Sequence, residues 1–277
     1  FCFHGTFDGK WHSISGLNIN RPSENQLGLF SLLGHDTHSA NPTETVPVAS
    51  VSHLRLENAS IIGKKSLGGL SGSIRYSSIQ GVAVNGTIRG MSRLGMLSGE
   101  LTHSKLVGIK TSGDLRGTNE LGGLIGFAEG VWAHGLVSEV DIVGTDTLGG
   151  FVGHLREESV PWPDRAAPIT PTRPFWPPKP PANGLRAQLV PFPGFASLRA
   201  MIQVASFKGS IKGRDHLGGA IGISSPIPPL IRYMISSGHI DGSDYLGGVC
   251  VACAWDGIHR LFDYNGIRHI IAASTIR

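Results

Sequence analysis

Two aspartates, Asp215 and Asp244, each stand two residues before a Leu-Gly-Gly triplet. If the segments that hold them stack, their carboxylates become neighbours, and paired carboxylates suit acid–base or cation chemistry on a polysaccharide. The matching positions before other triplets are Ser92, Asn119 and Asp146. Asp and Asn are also favoured turn residues ahead of a strand, so turn structure is the preferred reading of this column. Asp114 and Asp141 form a second short column, read in the same way.

Three other groups could do chemistry. His35-Asp36-Thr37-His38 offers two imidazoles and a carboxylate to a metal, but the motif brings no third fixed ligand. Cys250-Val251-Ala252-Cys253 has redox or metal spacing, yet it lies in a strand-like segment where residues three apart face opposite ways, so structural thiols are expected. Trp162, Phe175 and Trp176 sit in a Pro-rich stretch, 157–198, that cannot extend a sheet and reads as extended or polyproline II chain. It is either a loop packed along the side of the molecule or a projecting recognition loop with aromatic anchors. No motif requires a cofactor.

What positions all of these is a repeat. Leucines 67, 94, 121, 148, 217 and 246 each open a Leu-Gly-Gly or near variant, with steps of 27, 27, 27, 69 and 29 residues. Upstream of most of them stands Gly-x-(Ile/Leu)-x-Gly, as in Gly86-Thr87-Ile88-Arg89-Gly90 and Gly209-Ser210-Ile211-Lys212-Gly213. Each unit holds three short apolar segments, exemplified by 67–71, 79–84 and 87–89, too short for helices and separated by turn formers. This predicts an all-β, right-handed parallel β-helix with coils of about 27 residues, equivalent positions stacking roughly 4.8 Å apart. Stacking yields columns: Leu70, Leu97, Leu124, Phe151, Ala220 and Val249; then Ile88, Leu115, Ile142, Ile211 and Ile240. A third column, Gly90, Gly117, Gly144, Gly213 and Gly242, is expected at a turn that needs positive φ.

The pattern Gly-x-Ile-x-Gly-x3-Leu-Gly-Gly-Leu-Ile-Gly resembles the GLUG repeat of large bacterial secreted and cell-surface proteins. Phe3-His4-Gly5-Thr6-Phe7-Asp8-Gly9, with Ile14, Leu17, Ile19 and Leu27-Gly28-Leu29-Phe30, also resembles the coil that opens such arrays. The likeness covers about residues 1–153 and 204–251. It implies a secreted or surface location, as in filamentous adhesins and the repeats beside immunoglobulin A-directed peptidases. The chain has no His-Glu-x-x-His, so the zinc-peptidase activity of some such proteins is not expected here.

Solenoid coils are thus expected over 1–156, with a polar loop at 34–49, then the insertion at 157–198, then further coils over 199–277 that diverge near the end. Phe1 and Arg277 read as cuts in a longer chain. Three cysteines cannot form a disulfide scaffold. The net charge of +4, spread over 16% charged residues, does not suggest nucleic acid, and no apolar run is long enough to span a membrane as a helix. The function expected is a non-catalytic extracellular scaffold, adhesin-like, whose loops recognise a host or cell-surface protein or glycan. The alternative is a carbohydrate-active β-helix enzyme, a polysaccharide lyase or glycosidase, working through Asp215 and Asp244.

Overall fold

A computed structural model describes residues 2–34, 49–156, 201–225, 230–248, 250–253, 267–272 and 275–276. Among them every regular element is a strand, and every pairing is parallel. The strands fall into three sheets, ordered by position along the chain. One coil shows how they are made. Lys65–Gly68 belongs to sheet I, Ser71–Arg75 to sheet II and Ser78–Arg89 to sheet III; Ser92–Gly95 then returns to sheet I one layer on. Sheet I has seven strands, sheet II eight and sheet III eleven. The chain is a parallel β-helix, and the period in the sequence is its coil.

The register repeats the sequence step. Ser78 pairs with Lys105, Leu94 with Leu121, and Ser98 with Ile125. The Leu67, Leu94, Leu121, Leu148 and Leu217 side chains are fully buried, as are Ile88, Leu115, Ile142, Ile211 and Ile240. No coil can cover its own apolar face, so each is stabilised by the layers beside it. Burial of such a side chain is worth about 2 kcal/mol. Within the columns, size changes compensate: Phe151 gives way to Ala220 one layer on, and Phe207 packs edge-on against Phe151 at 6.3 Å.

The expected segment boundaries differ from the observed ones in one respect. The stretch over 78–89 is a single twelve-residue strand, not two pieces, while Ser71–Arg75 is a strand of its own. A residue in the left-handed region bends the long strand without ending it: His53, Gly81, Gly108, Gly135, Val204 and Tyr233 hold this place, at φ between 51° and 70°. The two expected pieces divide further along, at the turn formers Asn85-Gly86, where the register with the preceding coil shifts but the strand continues.

The glycine column at 90, 117, 144, 213 and 242 also has a different cause from the one expected. None of these residues has positive φ. A Cβ on Gly90 would instead sit 2.6 Å from Leu67 Cδ1 and 3.0 Å from Leu94 Cδ2, and one on Gly117 would meet Leu94 and Leu121 in the same way. The corner between sheets III and I needs glycine because leucine methyl groups from two layers fill the space beside it.

Candidate functional site: the corners of the coil stack

Within the sheet I strands, the residue just before each repeat leucine is left-handed. Gln26, Ser66, Arg93, Glu120, Thr147, His216 and Tyr245 all have φ between 52° and 60°, although none is glycine. The conformation is unfavourable for side chains of this kind, and the packed leucine that follows each one holds it in place.

In the middle of the stack this column and outward residues of sheet II form one ionic network. Arg93 donates through Nε to Glu120 at 2.8 Å and through Nη1 to Glu100 at 2.9 Å. Ser66 donates to Glu100 at 2.6 Å, and His154 Nδ1 lies 3.0 Å from Glu120. Phe127 supports the assembly, with Arg93 over its ring at 4.6 Å and His154 edge-on at 5.3 Å. Burial opposes charge on Arg93, but hydrogen bonds to Glu100 and Glu120 outweigh it and raise the pKa above the ordinary value. Burial likewise works against the Glu120 carboxylate, yet His154 and Arg93 hold its pKa below the usual range. Arg93 bridges the two glutamates and His154 adds a bond from a further layer, so the network fastens coils together.

The aspartate column lies one residue earlier. Register pairs Asn119 with Asp146, Asp146 with Asp215, and Asp215 with Asp244, so the two candidate carboxylates are neighbours on successive coils. They are not equivalent. Asp215 accepts from Arg214 Nε at 2.7 Å, whose pKa this hydrogen bond raises. Asp146 is engaged by His216 Nδ1 at 2.8 Å and by Thr147 Oγ1 at 3.2 Å. Asp244 is exposed, beside Tyr245, whose ring stacks on His216 at 4.8 Å and is 68% exposed. A shallow depression of about 220 Å³ lies elsewhere, on sheet III, lined by Arg55, Glu57, Asn85, Lys110 and Ser112 among others. The aspartates therefore stand one above another at the first residue of the sheet I strands, with an aromatic and a basic neighbour.

Trp162, Phe175 and Trp176 lie outside the described residues, as do His35, Asp36 and His38. The Cys250–Cys253 segment is a strand, as its position suggested, but its side chains are likewise outside that set. Cys2 is a free, exposed thiol. No cluster of three metal-ligating side chains occurs among the described residues.

What the structure does fix is where those segments leave the coils. Residues 35–48 follow Gly34 and precede Ser50; residues 157–200 follow Arg156 and precede Met201. In register, Leu33 lies beside Ile74 and Arg156 beside Glu129, while Ser50 lies beside Ser78 and Met201 beside Trp132. Both departures thus replace the two-residue corner between sheets II and III, filled elsewhere by Tyr76-Ser77, His103-Ser104 and Gly130-Val131. The shorter breaks at 226–229 and 254–266 fall between strands of the same two sheets. The strand Trp132–Val143 pairs with Met201–Lys212 from its first residue to its last, and Met201 N donates to Val131 O at 2.9 Å. The coil stack is continuous across 157–200.

Fold and register together define a repeat protein of the parallel β-helix class, in which the segments that break the period leave the coils between the same two sheets. No family model matches the chain. Halomucin of Haloquadratum walsbyi is similar over 86 residues at 31% identity, a stretch that makes up 31% of this chain and 1% of halomucin.

Proposed function

We propose that this chain is a non-catalytic segment of a secreted or cell-surface repeat protein, of GLUG type and adhesin-like, whose coils present recognition segments along one edge. The observation that carries the reading is the common corner: both long departures leave between sheets II and III, and the strand after each pairs with a neighbouring coil from its first residue. A scaffold that gathers its insertions on one edge gives several segments a shared direction, which is how solenoids commonly place a binding face. The ionic network between sheets I and II supports the same reading, since Arg93, Glu100 and Glu120 are engaged with one another.

The test replaces residues 157–200 with the two-residue corner Tyr-Ser. Far-UV circular dichroism and Tm are expected to stay unchanged, while retention on an array of host and cell-surface proteins and glycans is lost. Undiminished binding by the shortened chain would overturn the reading. The alternative, a carbohydrate-active enzyme, rests on the adjacency of Asp215 and Asp244. Reducing ends released from a polysaccharide by the full chain, and not by Asp215→Asn, would favour it.

A further inference from the structure

The corner between sheets III and I carries cations that no described group neutralises. Lys64 and Lys65 lie on one coil, Arg89 on the next and Arg116 on the one after. Lys64, Arg89 and Arg116 are exposed and Lys65 is half-buried. None of the four side chains makes an ion pair or hydrogen bond among the described residues.

Arg89 and Arg116 are direct partners in the ladder, so two guanidinium groups leave the sheet at strand spacing, roughly 4.8 Å. Like charges directly opposite each other destabilise a sheet. The same column shows the ordinary solution two layers further on, where Lys212 meets Asp241 at 3.5 Å. Lys110 likewise meets Glu139 at 3.0 Å. On either side of the arginine pair the column instead holds Ile62 and Val143, the latter 42% exposed, and Met91 beside it is 55% exposed. One acid, Asp114, shares the outward face two residues before Arg116 and pairs with neither arginine.

We propose that this corner binds an acidic polysaccharide, one with carboxylate or sulfate groups along its chain. A polymer laid along the coil axis would meet a cation on each of three layers, and each guanidinium can hold a carboxylate or sulfate through two N–H donors. The half-buried hydroxyl groups of Ser60 and Thr87 sit two residues before Ile62 and Arg89 on the same outward face, within reach of sugar hydroxyls. Ile62, Met91 and Val143 offer apolar contact to the faces of sugar rings. Nucleic acid is the poorer fit, because no aromatic side chain lies among these residues to stack against bases. The site goes beyond the scaffold reading. It is built from described coils at the far end of the long strands from the corner where the insertions leave.

The full chain is tested for binding to immobilised dextran sulfate and polygalacturonate, with neutral dextran and duplex DNA as comparisons. Binding to at least one acidic polysaccharide is expected, weakening as salt rises; which of the two binds tells sulfate from carboxylate. The double variant Arg89→Ser/Arg116→Ser should lose roughly tenfold in affinity. Its Tm should equal or exceed that of the parent, because a repulsive pair has gone. Lys208→Ser, an exposed cation away from this corner, should bind like the parent. Equal binding to neutral dextran, tighter binding to DNA than to either acidic polysaccharide, or full affinity in the double variant would each overturn the proposal. None of these results touches the scaffold reading, whose test changes only 157–200.

Discussion

Two corners of the same coil obey opposite rules. Between sheets III and I, Gly63, Gly90, Gly117, Gly144 and Gly213 each lie against leucine methyl groups from two layers, and the step from glycine to leucine is four residues in every case. Between sheets II and III the corner is two residues in three successive coils, yet 44 residues take its place over 157–200. The difference lies in what faces the turn. The first corner is filled from within by leucine side chains that must shift to admit even a Cβ. The second opens with left-handed residues, Tyr76, His103 and Gly130, two residues before the long strand begins. Extra residues there lengthen a loop without separating strands, and loop closure grows only slowly with length. A solenoid can therefore vary freely at one edge while its period is kept at another.

This contrast can be broken by substitution, starting with glycines enclosed by backbone. A Cβ on Gly95 would meet the carbonyl oxygens of Ser98 and Leu124, which belong to the sheets and cannot yield. Gly95→Ala should cost about 3 kcal/mol or more, read by chemical denaturation. Gly117→Ala should cost less, about 1–2 kcal/mol, because its neighbours are the ends of leucine side chains, 2.6 Å and 2.9 Å away, that can rotate. Equal losses at the two sites would show that this distinction between backbone and side-chain walls is wrong. At the permissive corner, inserting Gly-Ser-Gly-Ser between Gly130 and Val131 should cost about 1 kcal/mol or less. A larger loss there than in Gly117→Ala would remove the contrast between the corners.

Much of the architecture could be read from the chain, because a parallel coil transmits its period directly into register. The leucine steps of 27 residues give Leu67, Leu94, Leu121 and Leu148 as one ladder, and the structure pairs them so. The adjacency of Asp215 and Asp244 follows from the same arithmetic. What the carboxylates do there is not visible in spacing, because it depends on Arg214, His216 and the shape of the surface. The glycine column was legible as a column but not in its cause, since close packing and positive φ both select glycine. The left-handed column before the leucines leaves no mark in the sequence because its members, from Ser66 through Glu120 to Tyr245, share no chemistry; only their place is constant. The Arg93 network was within reach of the sequence: Glu120 is one 27-residue step from Arg93, and Glu100, Phe127 and His154 are themselves one step apart.

That the coil stack runs unbroken across 157–200 is tested most directly by a disulfide trap. Val137 and Ser206 are register partners on either side of the insertion, both half-buried on the outward face of sheet III. Partners at parallel-strand spacing, roughly 4.8 Å, are within range of a disulfide. With Cys2, Cys250 and Cys253 changed to alanine, Val137→Cys/Ser206→Cys should oxidise readily under mild conditions. The offset pair Glu139→Cys/Ser206→Cys, two residues out of register, should not. Efficient closure of the offset pair, or none in the matched pair, would contradict a continuous stack.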